Sequence, residues 1–449
     1  MKVDTVIKNG LMILPSGTTE GSLIINDGVI TGIVKSNEPE ADKVIDASGK
    51  LVLPGMIDMH VHLRDPGFPK RENFESGTRA AAAGGVTTVI DMPNTVPATV
   101  TVEAFLEKKK IAERKSLIDF GFFGGAGEVP KEDMIGLTEA GVTGFKSFLI
   151  ARFKELAASD YTLYKHMQLL GTLDRPLLVH AENGDMVDKF MEEAVASGRT
   201  DPIAHCEFRP DIAEIEATTR CITLAAETDC HLHICHMTSG KAVDVVGRAQ
   251  ARGQMVSAET STNYLLFTEE TMKERGPYAK VDPPLRSKDD QLRLWEALND
   301  GTLDVLASDH APYTKEEKEQ GLNNIYDAPS GGVVIETTLP LMLNAVNKDR
   351  ISIERLVQVF STNPAMINGL YPKKGDISIG ADADVVIVDM NKPFHIMGEN
   401  LQSIQKITPY EGMKGKGMPV TTLVRGEVVY EEYQVIGKPG YGTLQTPLE

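Results

Sequence analysis

Short runs of alternating apolar and polar residues open and close the chain, and a different rhythm fills the middle. The opening reads "DTVIKNGLMIL", "GSLIINDGVITGIV" and "KVIDASGKLVL", apolar segments broken by Gly and Asn. "NDG" between two such runs signals a hairpin, because Asn, Asp and Gly tolerate the positive φ of a tight turn. The closing stretch repeats the pattern in "GADADVVIVDM" and "VTTLVRGEVVYEE". Isolated short strands are not stable, so the two ends are expected to combine. The expectation is a small flanking β-sandwich of residues 1–53 and 373–449.

Between the ends, apolar runs of about six residues alternate with helical stretches. Eight such runs stand out: 56–63, 87–93, 118–123, 144–148, 176–182, 231–237, 255–261 and 304–312. Helix-like segments such as "FESGTRAAAAGG", "VEAFLEKKKIAERK" and "SKDDQLRLWEALNDG" lie between them. The last opens on Ser, carries acids in its first turn and stops at Gly, as a capped helix does. This alternation predicts an α/β fold, a (β/α)₈ TIM barrel over residues 54–372. A doubly wound sheet is the alternative, since strand order is not written in the pattern. No period of 20 to 50 residues accompanies the alternation.

Composition narrows the class. The chain has 449 residues, 41% hydrophobic and 24% charged, which is ordinary for a folded globular protein. Its net charge of -18 repels phosphate backbones and argues against nucleic acid as a partner. A local arginine can still favour an anionic small substrate. The four cysteines form no CxxC pair, so no zinc knuckle or thiol redox motif is indicated. Cys235, beside His236, is read as a small core residue rather than a nucleophile. The start "MKVDTVIKNG" lacks a secretory shape, and no apolar run approaches a membrane span. A cytoplasmic protein without a membrane partner is expected.

Function in such barrels collects at the carboxyl ends of the strands. There the first run carries His60 and His62, the fourth Lys146, the fifth His180, the sixth His236 and the eighth Asp309. A single strand-end histidine is usually a hydrogen-bonded core residue. His60 and His62, however, share a face, and two neutral imidazoles side by side form a metal pincer. Adding His180, His236 and Asp309 favours one metal centre. Nitrogen and oxygen donors without sulfur suit zinc, with other divalent transition ions possible. Lys146 has three readings: a partner for an acid, a Schiff-base lysine, or a lysine carboxylated by carbon dioxide. The last gives an anion able to bridge two metals, and a histidine-rich setting favours it. Two metals sharing a hydroxide suit hydrolysis, with Asp309 moving the proton to the leaving nitrogen.

These residues sit in motifs that resemble one family. "DMHVHLRDPG", "GGVTTVIDMPNT", "GFKSF", "VHAEN", "HICHMTS", "PPLR" and "SDHAP" are similar to the cyclic amidohydrolases: dihydroorotases, allantoinases and hydantoinases. The likeness spans essentially the whole chain. The resemblance implies two zinc ions per chain, bridged by carboxylated Lys146 and a hydroxide. His60, His62 and Asp309 would hold one ion, and His180 and His236 the other. Asp309 would also be the catalytic acid and base. Homodimers or homotetramers are implied, with a cyclic ureide or amide as substrate.

The motifs divide over which ring. "HLRDPG" and "MPNT" resemble dihydroorotase, where residues matching Arg64 and Asn94 hold a substrate carboxylate. A guanidinium pairs with a carboxylate in a fork, so an anionic substrate group near Arg64 is the leading expectation. A salt bridge from Arg64 to Asp65 or Glu72, and a plain turn role for Asn94, are the alternatives. Asp282 in "DPPLR" and Tyr313 in "DHAPY" depart from dihydroorotase. "GFKSF", "VHAEN" and "GPYAKVDPPLRSKDD" look more like allantoinase and L-hydantoinase. The tyrosine that D-hydantoinases carry after the lysine is absent from "KSFLIARFKE". Ser330 and Gly331 match the segment that closes over the ring through backbone groups; a Gly-rich turn is the alternative. A Schiff-base lyase and a non-catalytic scaffold remain as rival classes.

Overall fold

The computed structural model describes residues 2–448. Five strands come first: β1 (Val3–Leu14), β2 (Gly17–Asn26), β3 (Val29–Val34), β4 (Ala41–Asp46) and β5 (Leu51–Pro54). Eight more follow, alternating with helices: β6 (Met56–Val61), β7 (Val86–Asp91), β8 (Asp119–Gly125), β9 (Gly144–Phe148), β10 (Leu177–His180), β11 (Leu232–Ile234), β12 (Val256–Thr260) and β13 (Val305–Leu306). The last four are β14 (Val385–His395), β15 (Lys414–Val424), β16 (Glu427–Glu431) and β17 (Gln434–Val435).

Strands β6 to β13 form one parallel sheet in sequential order. Val61 bridges His310 in parallel, and the His62 amide donates to the His310 carbonyl at 2.8 Å. That contact joins the first strand to the last and closes the barrel, which excludes the doubly wound sheet. All eight apolar runs read from the sequence became its strands. They are buried end to end, so their polar residues had to find partners inside.

The helices follow their local signals. Lys288–Asp300 is capped by Ser287, whose side chain accepts from the Asp290 amide, and ends at Gly301 with φ +98°. Phe74–Ala83 opens with Asn73 accepting from the Glu75 and Ser76 amides. Its alanines are buried, so the helix lies close on the barrel.

The two chain ends do combine. Strands β1–β3, β5 and β14–β17 form one sheet, β4 pairing off β1, with a shared core that includes Ile7, Leu23, Ile25, Val52, Val385, Ile387 and Leu423. This domain is tied to the barrel floor by charge. The Lys374 ammonium lies 2.7 Å from Asp119 at the start of β8, 2.6 Å from Asp384 and 2.9 Å from Asp382. Arg425 also pairs with Asp119. Residues 443–445 then run beside Phe120, exchanging backbone hydrogen bonds with it. No helix among the described residues is long and apolar enough to cross a membrane.

Candidate metal centre

The strand ends bring the predicted donors together around a cavity of 340 Å³. His60 Nε2 lies 3.5 Å from Asp309 Oδ1, and His62 Nε2 lies 3.3 Å from the same oxygen. His180 Nδ1 and His236 Nε2 face each other at 3.0 Å. The His60 ring sits 5.2 Å from the His236 ring, so the two pairs share one centre. Arg64, His236 and Asp309 adopt left-handed φ of 62°, 34° and 52°. Such conformations are costly for residues with a side chain and concentrate where function requires them.

Three of the four imidazoles have their outer nitrogen held. His60 Nδ1 is held by Glu259, His62 Nδ1 by Asn94 Oδ1 at 2.7 Å, and His180 Nε2 by Glu182 at 2.7 Å. An imidazole that donates from one nitrogen presents the other as an acceptor. His236 Nδ1 has no hydrogen-bond partner, so His236 Nε2 can donate to His180 Nδ1 across the 3.0 Å between them or turn a second lone pair to a cation. The donor set therefore fits divalent cations, with zinc the best match to imidazole and carboxylate.

The electrostatics agree. Burial lowers His62 to about 4, with Arg64 adding to the effect, and burial also depresses His180 and His236. These three stay neutral at pH 7. At His60 burial again opposes the charge, but Glu259 and Asp309 outweigh it and raise the imidazole to about 10. Without a metal, then, the two carboxylates draw one proton onto His60. Burial works against the Asp309 carboxylate as well, yet His60 and His62 hold it ionised, well below the usual range.

Lys146, on β9, is fully buried at the same centre. Its amine has no carboxylate partner among the described residues; it donates to Cys235 Sγ at 2.7 Å and lies over the Phe148 ring, 5.1 Å from its centre. The ordinary reading, a lysine paired with an acid, does not describe it. Cys235 is a buried core residue as expected, but its sulfur accepts from Lys146 at the candidate centre.

The other predicted residues all line the cavity. Arg64 is 6% exposed, its Nε has no partner, and it stacks on the Tyr313 ring at 4.6 Å. Its expected rivals are engaged elsewhere: Asp65 pairs with Lys115, while Glu72 meets Ser76 and His310. Arg71, which is paired with Glu317, also lies over the Tyr313 ring, at 4.7 Å. Asn94 faces the cavity while its oxygen holds His62. Asp282 is neutralised by Arg209 at 2.6 Å and Arg152 at 2.9 Å, so it does not add a free negative charge. Ser330 and Gly331 form part of the rim, but both backbone groups of Gly331 are already engaged, with the Lys280 carbonyl and the Lys318 amine.

Three residues of this site were not found from the sequence. Glu182 had a signal: it stands two residues after His180, and it is the group that holds that ring. Glu259 is a lone carboxylate inside the apolar strand β12, a placement that only a partner explains. Arg209 had none; it pairs with Glu182 and Asp282 across three loops. His310, set aside in the sequence, accepts from the Val334 amide and faces Glu72, away from the centre.

Comparison with known proteins points the same way. The sequence model of the amidohydrolase family matches residues 51–429. The chain is 38% identical to the L-hydantoinase of Paenarthrobacter aurescens, over 99% of this chain and 98% of that one. It is 36% identical to an allantoinase of Enterococcus faecalis, over 96% and 97%. The solved structure of the L-hydantoinase (dihydropyrimidinase) from Arthrobacter aurescens superposes with a TM-score of 0.96 at 37% identity, covering 99% of this chain and all of that one.

Proposed function

This chain belongs to the amidohydrolase family and is a hydrolase of cyclic amide C–N bonds, and from that premise we propose a metal-dependent hydrolase opening five-membered cyclic ureides, of the L-hydantoinase or allantoinase type. The observation that carries the metal is the convergence of inward ring nitrogens from His60, His62, His180 and His236, three of these rings being held from outside by an acceptor. His60, His62 and Asp309 would hold one zinc and His180 and His236 a second, with Lys146 as a carbamate between them. A buried amine without a counter-charge supports that last step, because reaction with carbon dioxide removes the cation. Bound there, zinc would acidify water and polarise the ring carbonyl.

The residues of the chain supply the rest. Asp309, held ionised, accepts the proton of the attacking water and returns it to the ring nitrogen as the C–N bond breaks. Glu259, Asn94 and Glu182 keep the imidazoles in the required tautomers. Phe148 and Phe153 stack at 4.0 Å beside His180 and form an apolar wall. Ser330 also lines the cavity.

Dihydroorotase, the narrower expectation from "HLRDPG" and "MPNT", gives way, because the relatives compared above are hydantoinases and an allantoinase. Arg64 is what remains of that reading. A buried guanidinium with an unpaired Nε favours a ring substituent that carries an acceptor, such as a carboxylate or a ureido carbonyl. A panel of hydantoin, 5-substituted hydantoins, allantoin, dihydrouracil and dihydroorotate tests the reading. Arg64→Ala should lose selectivity for acceptor-bearing rings, by about 1.5–3 kcal/mol for one charged hydrogen bond. Unchanged selectivity would remove Arg64 from substrate binding. Full activity after chelation would favour the lyase reading of Lys146 instead.

A further inference from the structure

Two buried lysines outside the metal centre pair with no carboxylate among the described residues, and their contacts converge on one loop. Lys280, 6% exposed, donates to the carbonyls of Ile325 at 2.9 Å and Ala328 at 2.6 Å. Lys318, 2% exposed, donates to Pro329 and Gly331 at 2.9 Å each, and reaches the Lys280 carbonyl at 3.4 Å. The Gly331 amide closes the knot on the same Lys280 carbonyl at 2.9 Å. We infer that Lys280 and Lys318 are positioning residues, which clasp the loop 325–331 over the cavity and set Ser330 at a fixed distance from Asp309.

The second half of that statement follows from what the loop touches next. Gly332 pairs with the segment after β13: the Ala311 amide donates to its carbonyl at 3.0 Å, two residues beyond Asp309. Gly331 has a φ of +132°, and a Cβ there would come within 2.5 Å of the Ala311 carbonyl oxygen. The loop and the Asp309 segment are thus packed backbone against backbone. A shift in one is a shift in the other.

Two ammonium groups are an expensive way to fill space, because burying charge without a counter-ion is unfavourable. Burial accordingly pushes Lys318 down to about 7 and Lys280 to about 8. What the lysines provide is N–H donors for carbonyls that turn inward and would otherwise be unpaired. Protonated or neutral, each amine keeps the two N–H groups that its short contacts need. The role in substrate binding rests on the cyclic-ureide reading above; the clasp itself does not.

Lys318→Met tests both parts in the full chain. Amide hydrogen exchange is followed across residues 323–332, and kinetics are run on whichever of hydantoin, 5-benzylhydantoin and allantoin the wild type hydrolyses. Loop exchange should rise about tenfold or more, and KM about tenfold, while kcat stays within about threefold and metal content is unchanged. Lys318→Gln, whose amide offers two N–H groups, should recover part of both. Lys280→Met gives the same readouts if Lys318→Met does not fold. Unchanged loop exchange, or raised exchange with KM within about twofold of wild type, overturns the inference. Should the wild type hydrolyse none of the three rings, the ureide reading fails, and exchange at 323–332 still decides whether the lysines hold the loop.

Discussion

The barrel buries a group of acids at each end, and the two groups are closed in different ways. At the floor, Asp119, Asp382 and Asp384 lie close enough to hold a metal, but the Lys374 ammonium stands among them and Arg425 beside them. At the mouth, His60, His62 and Asp309 lie equally close, with His180, His236 and Glu259 around them, and among the described residues no Lys or Arg pairs with Asp309 or Glu259; the proton their charge draws sits on His60. Proximity of carboxylates does not make a metal site. What distinguishes the mouth is that imidazole nitrogens converge there and its carboxylates hold only a proton on His60, which an outside cation can replace. The floor supplies its own, and so fastens two domains without a ligand.

The most severe way to break the mouth alone is Asp309→Asn. It keeps the shape and removes the base, so kcat should fall by about 10²–10⁴-fold with little change in thermal stability. A comparable loss of stability would mean that Asp309 is structural. At the floor the expected pattern is reversed. Lys374→Met leaves three buried carboxylates facing one another and should cost about 3–5 kcal/mol in urea unfolding. Activity per folded molecule should survive.

A pH titration sharpens the contrast. Lys374 is raised above its ordinary 10.5 by the aspartates, after the opposing effect of burial, and its contribution is present below 10.5 and lost as pH rises through the folded value. Asp119, depressed below 3.8 by Lys374 and Arg425 against the cost of burial, contributes above 3.8 and loses that contribution in acid. Asp384, which burial pushes up, takes a proton before Asp119 does as the pH falls. Between pH 5.5 and 8 the Lys374–Asp119 pair should therefore stay closed. At the mouth the His60 proton must leave before a metal binds, so affinity should fall about tenfold for each unit of pH lost. Metal content and near-UV circular dichroism, followed together, separate the two. Simultaneous loss of metal and fold would show that the mouth and the floor are one unit.

The smallest of these effects concerns the outer acceptors. Glu259→Gln leaves the His60 ring in place but weakens its hold on the tautomer, and should lower metal affinity by about 10–100-fold. Unaltered affinity would make the Glu259 contact incidental.

The contrast between mouth and floor also marks what was legible in the sequence. The eight strands were, because a strand buried on both faces must be a continuous apolar run. The donors were as well: His60 and His62 repeat at the strand period, and His180, His236 and Asp309 interrupt runs that have no other use for polarity. Their outer partners were not. Glu259 reaches His60 from a strand 199 residues further on, and Arg209 reaches Glu182 and Asp282 from a loop. Such pairs depend on barrel closure, which no local pattern contains. Asn94 shows the same limit: its motif marked it for the cavity, and only the fold revealed that its oxygen is held by His62. The floor cluster was invisible, since Lys374 and Asp119 lie far apart in sequence and in unrelated motifs.

The central claim is that the mouth binds metal and the floor does not. The direct measurement is calorimetric titration of zinc into the metal-stripped chain, in buffers of different ionisation enthalpy, alongside His236→Ala and Asp382→Asn. The account predicts about two zinc per chain, with proton release from His60 on binding, lost or halved in His236→Ala and unchanged in Asp382→Asn. No tight binding, or binding that survives His236→Ala and disappears in Asp382→Asn, would contradict it.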